Sequence, residues 1–397
     1  MNKQSVRDIA VSGKKVLVRV DFNVNIDAQT GRITDDSRIR AALPTISYLV
    51  ENGAKIILCS HLGRPDGKVV ETLRMGIVAR RLSELVGRNV ETTSDCIGIE
   101  AEVAALALQP GDILLLENLR FHPEEEENAE GFAAALAKLA DIYVDDAFGT
   151  AHRAHASVVG VTDYLPAVAG LLMERELEYL GGILESPEKP FGGLFGGAKV
   201  SDKVAVLENI MGKVDVILIG GGMAATFLKA RSYEVGQSLV EDDRIETARR
   251  LMDRAEKEKV RLLLPPDVMV ADEVKSGAAR EIVPVDKIKP DQRIVDIGRL
   301  TIELFTEELK KARTVFWNGP MGVNELPEFA AGTQAMALLL SGLDAVTVIG
   351  GGSTADVVTN MGLADEMTFI STGGGASLNF LGGKKLPGVE ALLDKKD

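Results

Sequence analysis

Short apolar runs, rich in Val, Ile and Leu, alternate with amphipathic helical segments along nearly the whole chain. In the first half the runs are "KKVLVRVDF", "AKIILCS", "RNVETT", "DILLLEN" and "DIYVDDAF". In the second they are "VDVILIGGG", "VRLLLPPD", "REIVPVD", "RIVDIG", "TVFWNGP", "AVTVIGGG" and "MTFISTGGG". Segments such as "SRIRAALPTISYLVENG" and "EDDRIETARRLMDRAEKEK" have helical spacing; in the latter Ile245, Ala248, Met252 and Ala255 share a face. A continuous apolar run suits a strand covered on both sides, and strands alternating with helices suit parallel sheet. The pattern predicts an α/β fold built on doubly wound parallel sheets.

A chain of 397 residues exceeds one ordinary core, which predicts two domains. The break is expected in "PAVAGLLMERELEYLGGILESPEKP", where a helix after Pro166 meets Gly181, Gly182, Pro187 and Pro190. The expected division is 1–169 for the first domain, 170–185 for a connector helix and 186–372 for the second domain. The acidic run Glu124 to Glu127 reads as a solvated face at the start of a helix, where the dipole favours carboxylates.

Composition narrows the chemistry. A net charge of −14 and a pI near 5.0 argue against a protein that coats nucleic acid or anionic membrane. Any phosphate site must therefore be a local basic cluster on an acidic body. Cys59 and Cys96 form no C-x-x-C pair, so neither a disulfide framework nor a zinc site is expected, and a reducing cytoplasm is the simplest setting. The N-terminal "MNKQSVRDIAVSG" lacks an apolar signal core, and no apolar run is long enough to span a bilayer.

In open parallel sheets ligands bind beyond the carboxyl ends of the strands. After the first-half runs come Asp21 and Asn23, then His61, Gly63 and Arg64, then Arg120, then His152, Arg153 and His155. Arg38 opens the helix after the first strand. Taken singly, any of these arginines reads as a surface charge, and His61 or His152 as a packed or surface histidine. Together on one edge they suit a small, multiply charged anion, because the guanidinium fork grips phosphate or carboxylate at two points.

The second-half strand ends carry glycine instead. "VILIGGGMAATF", "VTVIGGGSTADV" and "TFISTGGGASLNF" each lead through three glycines into a helical pattern, where free N–H groups can meet phosphate. The stretch "FGGLFGGAKVSDK" adds Lys199 and Lys203, expected on one turn of a starting helix. It lacks the G-x-x-x-x-G-K-[ST] phosphate loop, and no turn matches the dinucleotide G-x-G-x-x-G, which argues against a dehydrogenase. A small-anion pocket in one half and a nucleotide cradle in the other suit phosphoryl transfer, which needs positioned cations and donors more than a covalent nucleophile.

Eight motifs, "RVDFNV", "HLGRP", "ENLRFH", "AFGTAHRAHAS", "GGAKVSDK", "GGGMAATFLKA", "VFWNGPMGV" and "STGGGASL", stand in the order of one family, and over nearly the entire chain the sequence resembles the phosphoglycerate kinases. The resemblance implies two α/β domains that close about a connector helix, with residues 380–397 packing back on the first. It implies a cytoplasmic monomer of glycolysis, gluconeogenesis or carbon fixation. The implied reaction is reversible phosphoryl transfer between 1,3-bisphosphoglycerate and ADP, giving 3-phosphoglycerate and ATP with Mg2+. Carried over by motif, Asp21, Phe22, Asn23, Arg38, His61, Leu62, Gly63, Arg64, Arg120 and Arg153 form the phosphoglycerate site. Lys199 and Arg38 become the catalytic pair. Lys203, Gly221, Gly222, Asn318, Glu325, Gly351, Gly352, Ser353 and Thr354 hold the nucleotide.

Three positions depart from the family pattern. Asn25 stands for a proline, and Asn324 for an aromatic near the nucleotide. Ser353 replaces the aspartate that meets the metal–nucleotide. The last leaves Ser353 as the candidate metal-side residue, with the ion held mainly by the nucleotide. It also raises a non-catalytic nucleotide binder as the alternative, against which the retained Lys199, Lys203 and Arg38 argue.

Overall fold

In the computed structural model, which describes residues 2–395, the first-half runs pair as one parallel sheet. Its strands are β1 (Lys15–Arg19), β2 (Lys55–Cys59), β3 (Val90–Thr92), β4 (Ile113–Leu115), β5 (Ile142–Asp145) and β6 (Ala167–Ala169), in the order β3-β4-β2-β1-β5-β6. Val16, Val18, Ile56, Leu58, Ile113, Leu115 and Val144 lie in one buried cluster with Ile39, Ala42, Ile46 and Leu49 of the helix Ser37–Glu51. Burying each Val, Leu or Ile side chain of this cluster stabilises the fold by about 1.5–3 kcal/mol, which is why the near-continuous apolar runs become the central strands.

A second six-stranded parallel sheet contains β7 (Phe191–Phe195), β8 (Val216–Ile219), β9 (Arg261–Leu263), β13 (Thr314–Asn318), β14 (Val346–Gly350) and β15 (Phe369–Ile370), ordered β15-β14-β13-β7-β8-β9. The "FGGLF" of the glycine-rich stretch is thus a central strand, not a loop. Glycine is required there by packing: a Cβ on Gly193 would come within 2.7 Å of the Phe195 ring, and one on Gly192 within 3.2 Å of Leu309. Three further strands, β10 (Asp267–Ala271), β11 (Arg280–Pro284) and β12 (Arg293–Ile297), form a separate sheet in the order β11-β10-β12. Both of its pairings are antiparallel, so two runs expected in parallel sheet are not. β11 has only Val283 buried, which an antiparallel sheet open to water on one face accommodates.

The chain divides into two compact units, one running to Glu178 and resuming at Lys385, the other spanning Tyr179–Lys384. The helix Leu171–Glu185 crosses that division and continues through Gly181 and Gly182. Its start is anchored by Asp146, whose Oδ1 accepts from the N–H groups of Leu172 and Met173 at 2.9 and 3.3 Å. Residues 380–384 belong to the second unit, contrary to the expected 380–397 return. The helix Gly375–Leu381 is tied there by Asn209, whose Nδ2 donates to the Leu381 carbonyl at 2.8 Å. From Lys385 onward the backbone joins the first unit, with Gly388 N donating to Ala151 O and Leu393 N to Ala167 O. Residues 396 and 397 lie outside the described residues. Among the described residues no helix is long and apolar enough to cross a membrane.

Candidate active site

Four adjacent parallel strands, β4-β2-β1-β5, release their following loops at one edge of the first sheet, with Arg19 level with both Cys59 and Asp145. The loops hold one another through named hydrogen bonds. Asn23 Oδ1 accepts from Gly63 N at 2.8 Å, and Arg120 Nη1 donates to Gly63 O at 3.0 Å. Asp21 Oδ1 accepts from Asn23 N, and its Oδ2 pairs with Arg38 Nη1. Gly63 has φ +66°, and a Cβ there would press on the Leu73 side chain at 2.8 Å, so the turn that carries Arg64 favours glycine.

The structure therefore gathers Asp21, Asn23, Gly63 and Arg120 in one bonded set, with Arg38 tied to Asp21, while His61 is held separately, its Nδ1 3.2 Å from Arg19 Nη2. Arg64 is exposed on the same turn, and Arg153 lies partly buried with Nε 3.4 Å from His152 Nε2. Phe22 and Leu62 differ in kind. Both side chains are packed in the core, so only their backbone can face a ligand.

Residues absent from the sequence expectation carry much of the site's order. Asn118 Oδ1 accepts from Leu62 N and Arg120 N, both at 3.1 Å, while its Nδ2 donates to the carbonyls of Leu62 and Leu73. Arg19 is buried at the end of β1, where a charge directly following the apolar run Val16–Val18 was the available signal. Glu125, read from the sequence as solvated, is instead fully buried and accepts from Ser157 N and Ser157 Oγ at 2.8 and 2.5 Å.

Electrostatics follow from this packing. Burial, then the guanidiniums of Arg19, Arg120, Arg153 and Arg38, hold the His61 pKa well below the ordinary histidine range. Burial, then Arg120, Arg19 and Arg153, bring His155 down to about 4. Both rings are thus neutral donors or acceptors among cations, suited to a small polyanion. Their C2–H shifts, followed by proton NMR, are expected to stay constant between about pH 8 and pH 6. A midpoint near the ordinary value of about 6.5 for either ring would contradict the account.

The second sheet presents a different edge. Gly196–Gly197 follow β7, Gly220–Gly222 follow β8, Gly319–Pro320 follow β13 and Gly351–Gly352 follow β14. The first three turns interlock by backbone: Gly196 N donates to Asn318 O, Gly197 N to Pro320 O, Gly221 N to Met321 O and Met223 N to Gly197 O. A Cβ on Gly221 would come within 2.6 Å of Gly197 N and Pro320 O. Beside these turns lies a cavity of about 480 Å³, within the range of small-molecule sites, bordered by Gly222, Leu239, Val274, Val323, Asn324 and Glu325. Gly222, not Gly221, forms its wall.

Asn318 is buried, and its Nδ2 has no hydrogen-bond partner among the described residues while lying against Gly350 and Gly351. A buried unpaired donor facing a glycine turn is what an anionic ligand would satisfy. Thr354 acts otherwise: its buried Oγ1 accepts from Gly319 N at 2.8 Å and so braces the turn after β13. Ser353 is exposed in the first turn of the helix Gly352–Asn360.

Lys199 and Lys203 do not share a helical turn, because the helix begins only at Val204. They occupy the preceding turn, whose N–H groups at Val200 and Ser201 are taken by the Glu241 carboxylate at 2.5 and 3.1 Å. The side-chain ammonium groups, not those amides, are what this segment offers an anion. Lys199 is exposed; Lys203 is buried, and burial lowers its pKa against the opposing pull of Asp202 and Glu241.

Comparison with known proteins agrees across the whole chain. The family model described as phosphoglycerate kinase matches residues 6–384. The chain is 58% identical over 395 residues to the phosphoglycerate kinase of Pelotomaculum thermopropionicum and 54% identical over 395 residues to that of Moorella thermoacetica, covering 100% of each pair. Among solved structures it resembles the phosphoglycerate kinase of Coxiella burnetii, with a TM-score of 0.88 at 40% identity and 98% coverage of both chains. The enzyme of Pyrococcus horikoshii gives 0.83 at 34% identity, again with 98% of both chains covered.

Proposed function

The chain belongs to the phosphoglycerate kinase family, and from that premise we propose that each sheet edge binds one of the two substrates. The reaction is reversible phosphoryl transfer between 1,3-bisphosphoglycerate and ADP, giving 3-phosphoglycerate and ATP. The relatives reported above carry that enzyme's name, and nothing favours a non-catalytic binder. The edge of Asp21, Asn23, Arg38, His61, Gly63, Arg64, Arg120 and Arg153 takes the phosphoglycerate. Lys203, Gly221, Gly222, Asn318, Glu325 and the turn Gly351 to Thr354 take the nucleotide. The observation that carries this reading is the contrast between the two edges, guanidiniums on one and interlocked glycines with an unpaired Asn318 amide on the other.

Transfer of a phosphoryl group is mainly a problem of alignment and charge. Arg38 and Lys199 neutralise charge on the group in transit. Arg64, Arg120 and Arg153 hold the end of the acid that does not react. Lys203 grips phosphate oxygens of the nucleotide, and a polyanion beside it favours the protonated form that burial opposes. Asn318 Nδ2 supplies a directional donor from the strand end. The chain acts as a monomer in the cytoplasm, a reading supported by buried free Cys59 and Cys96 for the compartment and by the resemblance for the oligomeric state.

The residues present fit a magnesium ion that arrives with the nucleotide. Ser353 offers an exposed hydroxyl at the first turn of its helix, and Asp356 a carboxylate on the next turn. Both are hard oxygen donors, which this cation prefers. When bound it supplies charge neutralisation at the phosphates. A hydroxyl brings no charge, so Ser353→Asp is expected to tighten Mg–ADP binding by about tenfold, as one added charge at a hard-cation site should. Ser353→Ala is expected to weaken it less than about threefold. Isothermal titration with Mg–ADP reads both changes. Complete loss of activity in Ser353→Ala, with Asp356→Ala silent, would contradict this by making the hydroxyl indispensable.

A further inference from the structure

We propose that Arg19 is a positioning residue that fixes His61 as its Nε2–H tautomer, so that the ring meets phosphoglycerate as a neutral hydrogen-bond donor. The inference rests on the assignment of the first-unit edge as the phosphoglycerate site. Arg19 lies at the end of β1 and is 1% exposed, behind the residues that face a ligand. Its Nε donates to Ser157 Oγ at 2.9 Å, and its Nη1 donates to the Val20 carbonyl. Its Nη2 lies 3.2 Å from His61 Nδ1.

A guanidinium has five donors, no acceptor, and does not lose its proton in proteins. At the contact with His61 the arginine must therefore donate, and Nδ1 must accept. An imidazole that accepts at Nδ1 is neutral and carries its proton on Nε2. The guanidinium is also prevented from swinging away. Ser157 Oγ, which receives the Arg19 Nε–H, donates in turn to Glu125 Oε1 at 2.5 Å, and Ser157 N holds Glu125 Oε2 at 2.8 Å. The chain Arg19–Ser157–Glu125 is a buried donor–acceptor sequence with one direction.

The tautomer decides what the site offers an anion. With the proton on Nε2, the ring adds a donor beside Arg38, Arg120 and Arg153, the other charged groups that face it along with Arg19. With the proton on Nδ1, the ring would present a lone pair to a carboxylate or phosphate and repel it. A fully protonated ring would instead place another cation among four guanidiniums. The Arg19 contact excludes both alternatives by occupying Nδ1 with a donor.

The test uses the full-length enzyme with 15N-labelled histidine, read by long-range proton–nitrogen correlation without ligand. His61 is expected to show the Nε2–H pattern; an Nδ1–H pattern would overturn the proposal. Arg19→Lys, which can still donate to Nδ1, is expected to keep the pattern and most of the affinity. Arg19→Met is expected to mix the tautomers and raise KM for 3-phosphoglycerate by about tenfold, the loss of one hydrogen bond to a charged ligand, with kcat within about twofold. Should Arg19→Met not fold, Ser157→Ala frees the guanidinium without deleting it and is expected to mix the tautomers too. An unchanged His61 pattern in Ser157→Ala or in folded Arg19→Met would overturn the role of Arg19. Adding 3-phosphoglycerate to the native enzyme is expected to move the His61 signals. No movement at saturation would overturn the proposal through the site assignment, not through the Arg19–His61 pairing.

Discussion

Replacement of Arg38 by alanine is expected to lower kcat by about a thousandfold, the scale of a cation that acts on the transferring phosphoryl group. Arg38 stands in the first turn of the helix Ser37–Glu51, with Nη1 paired to Asp21 Oδ2 and a side chain 40% exposed. That pairing orients the fork without burying it, so the group remains available to a ligand. A partly exposed pair contributes about 0–1 kcal/mol to stability, so the variant should unfold at nearly the native temperature. Arg64→Ala is the contrast. It is expected to raise KM for phosphoglycerate about tenfold while kcat changes little, because it removes binding shared by ground and transition states. Steady-state kinetics on both variants decide the matter. An Arg38→Ala enzyme altered only in KM would show that the roles are wrongly divided.

The second large effect is expected at Gly319. Its φ is +95°, and a Cβ there would lie 2.3 Å from Gly196 O, 2.4 Å from Gly196 C and 2.8 Å from Gly197 N. All three are backbone atoms of the turn after β7, so no rotamer change can relieve the clash. Gly319→Ala combines left-handed backbone strain with forced separation of two turns, together about 3 kcal/mol or more. The variant should lose a large part of the thermal stability of the second unit, and ADP should bind at least about tenfold more weakly. Gly352→Ala is the control for stability, since a Cβ there meets nothing within 4 Å and its φ is not positive. Calorimetry of the two variants separates them. A Gly319→Ala protein as stable as the native one would contradict the interlocked arrangement of the turns.

The strands legible in the sequence were those whose burial demands a continuous apolar run, such as "VLV" of β1 and "VILI" of β8. β7 escaped because two of its five residues are glycine, which has low strand propensity and is chosen there by Phe195 and Leu309 pressing on the backbone. The antiparallel β11-β10-β12 sheet escaped for another reason. Its runs resemble buried strands, and only their pairing distinguishes them.

At the candidate site, the polar residues after each strand could be named from strand topology alone, with motif resemblance assigning their roles. What could not be named were the groups that work from behind. Asn118 bridges segments 56 residues apart through its contact with Leu62, and Ser157 meets Glu125 from 32 residues away. Periodicity carries no information about such pairings. Glu125 in particular sits in a run of four glutamates, and only the fold selects which of them turns inward.

The most direct test of the account is turnover of the purified full-length protein with 3-phosphoglycerate and ATP, coupled to reduction of the 1,3-bisphosphoglycerate formed. Two substrates on two edges predict turnover only when both substrates and magnesium are present. They also predict that Lys199→Ala loses about a hundredfold or more in kcat, with nucleotide affinity changed by less than about threefold. If instead both ligands bind at saturation and Lys199→Ala turns over at the native rate, the catalytic assignment fails.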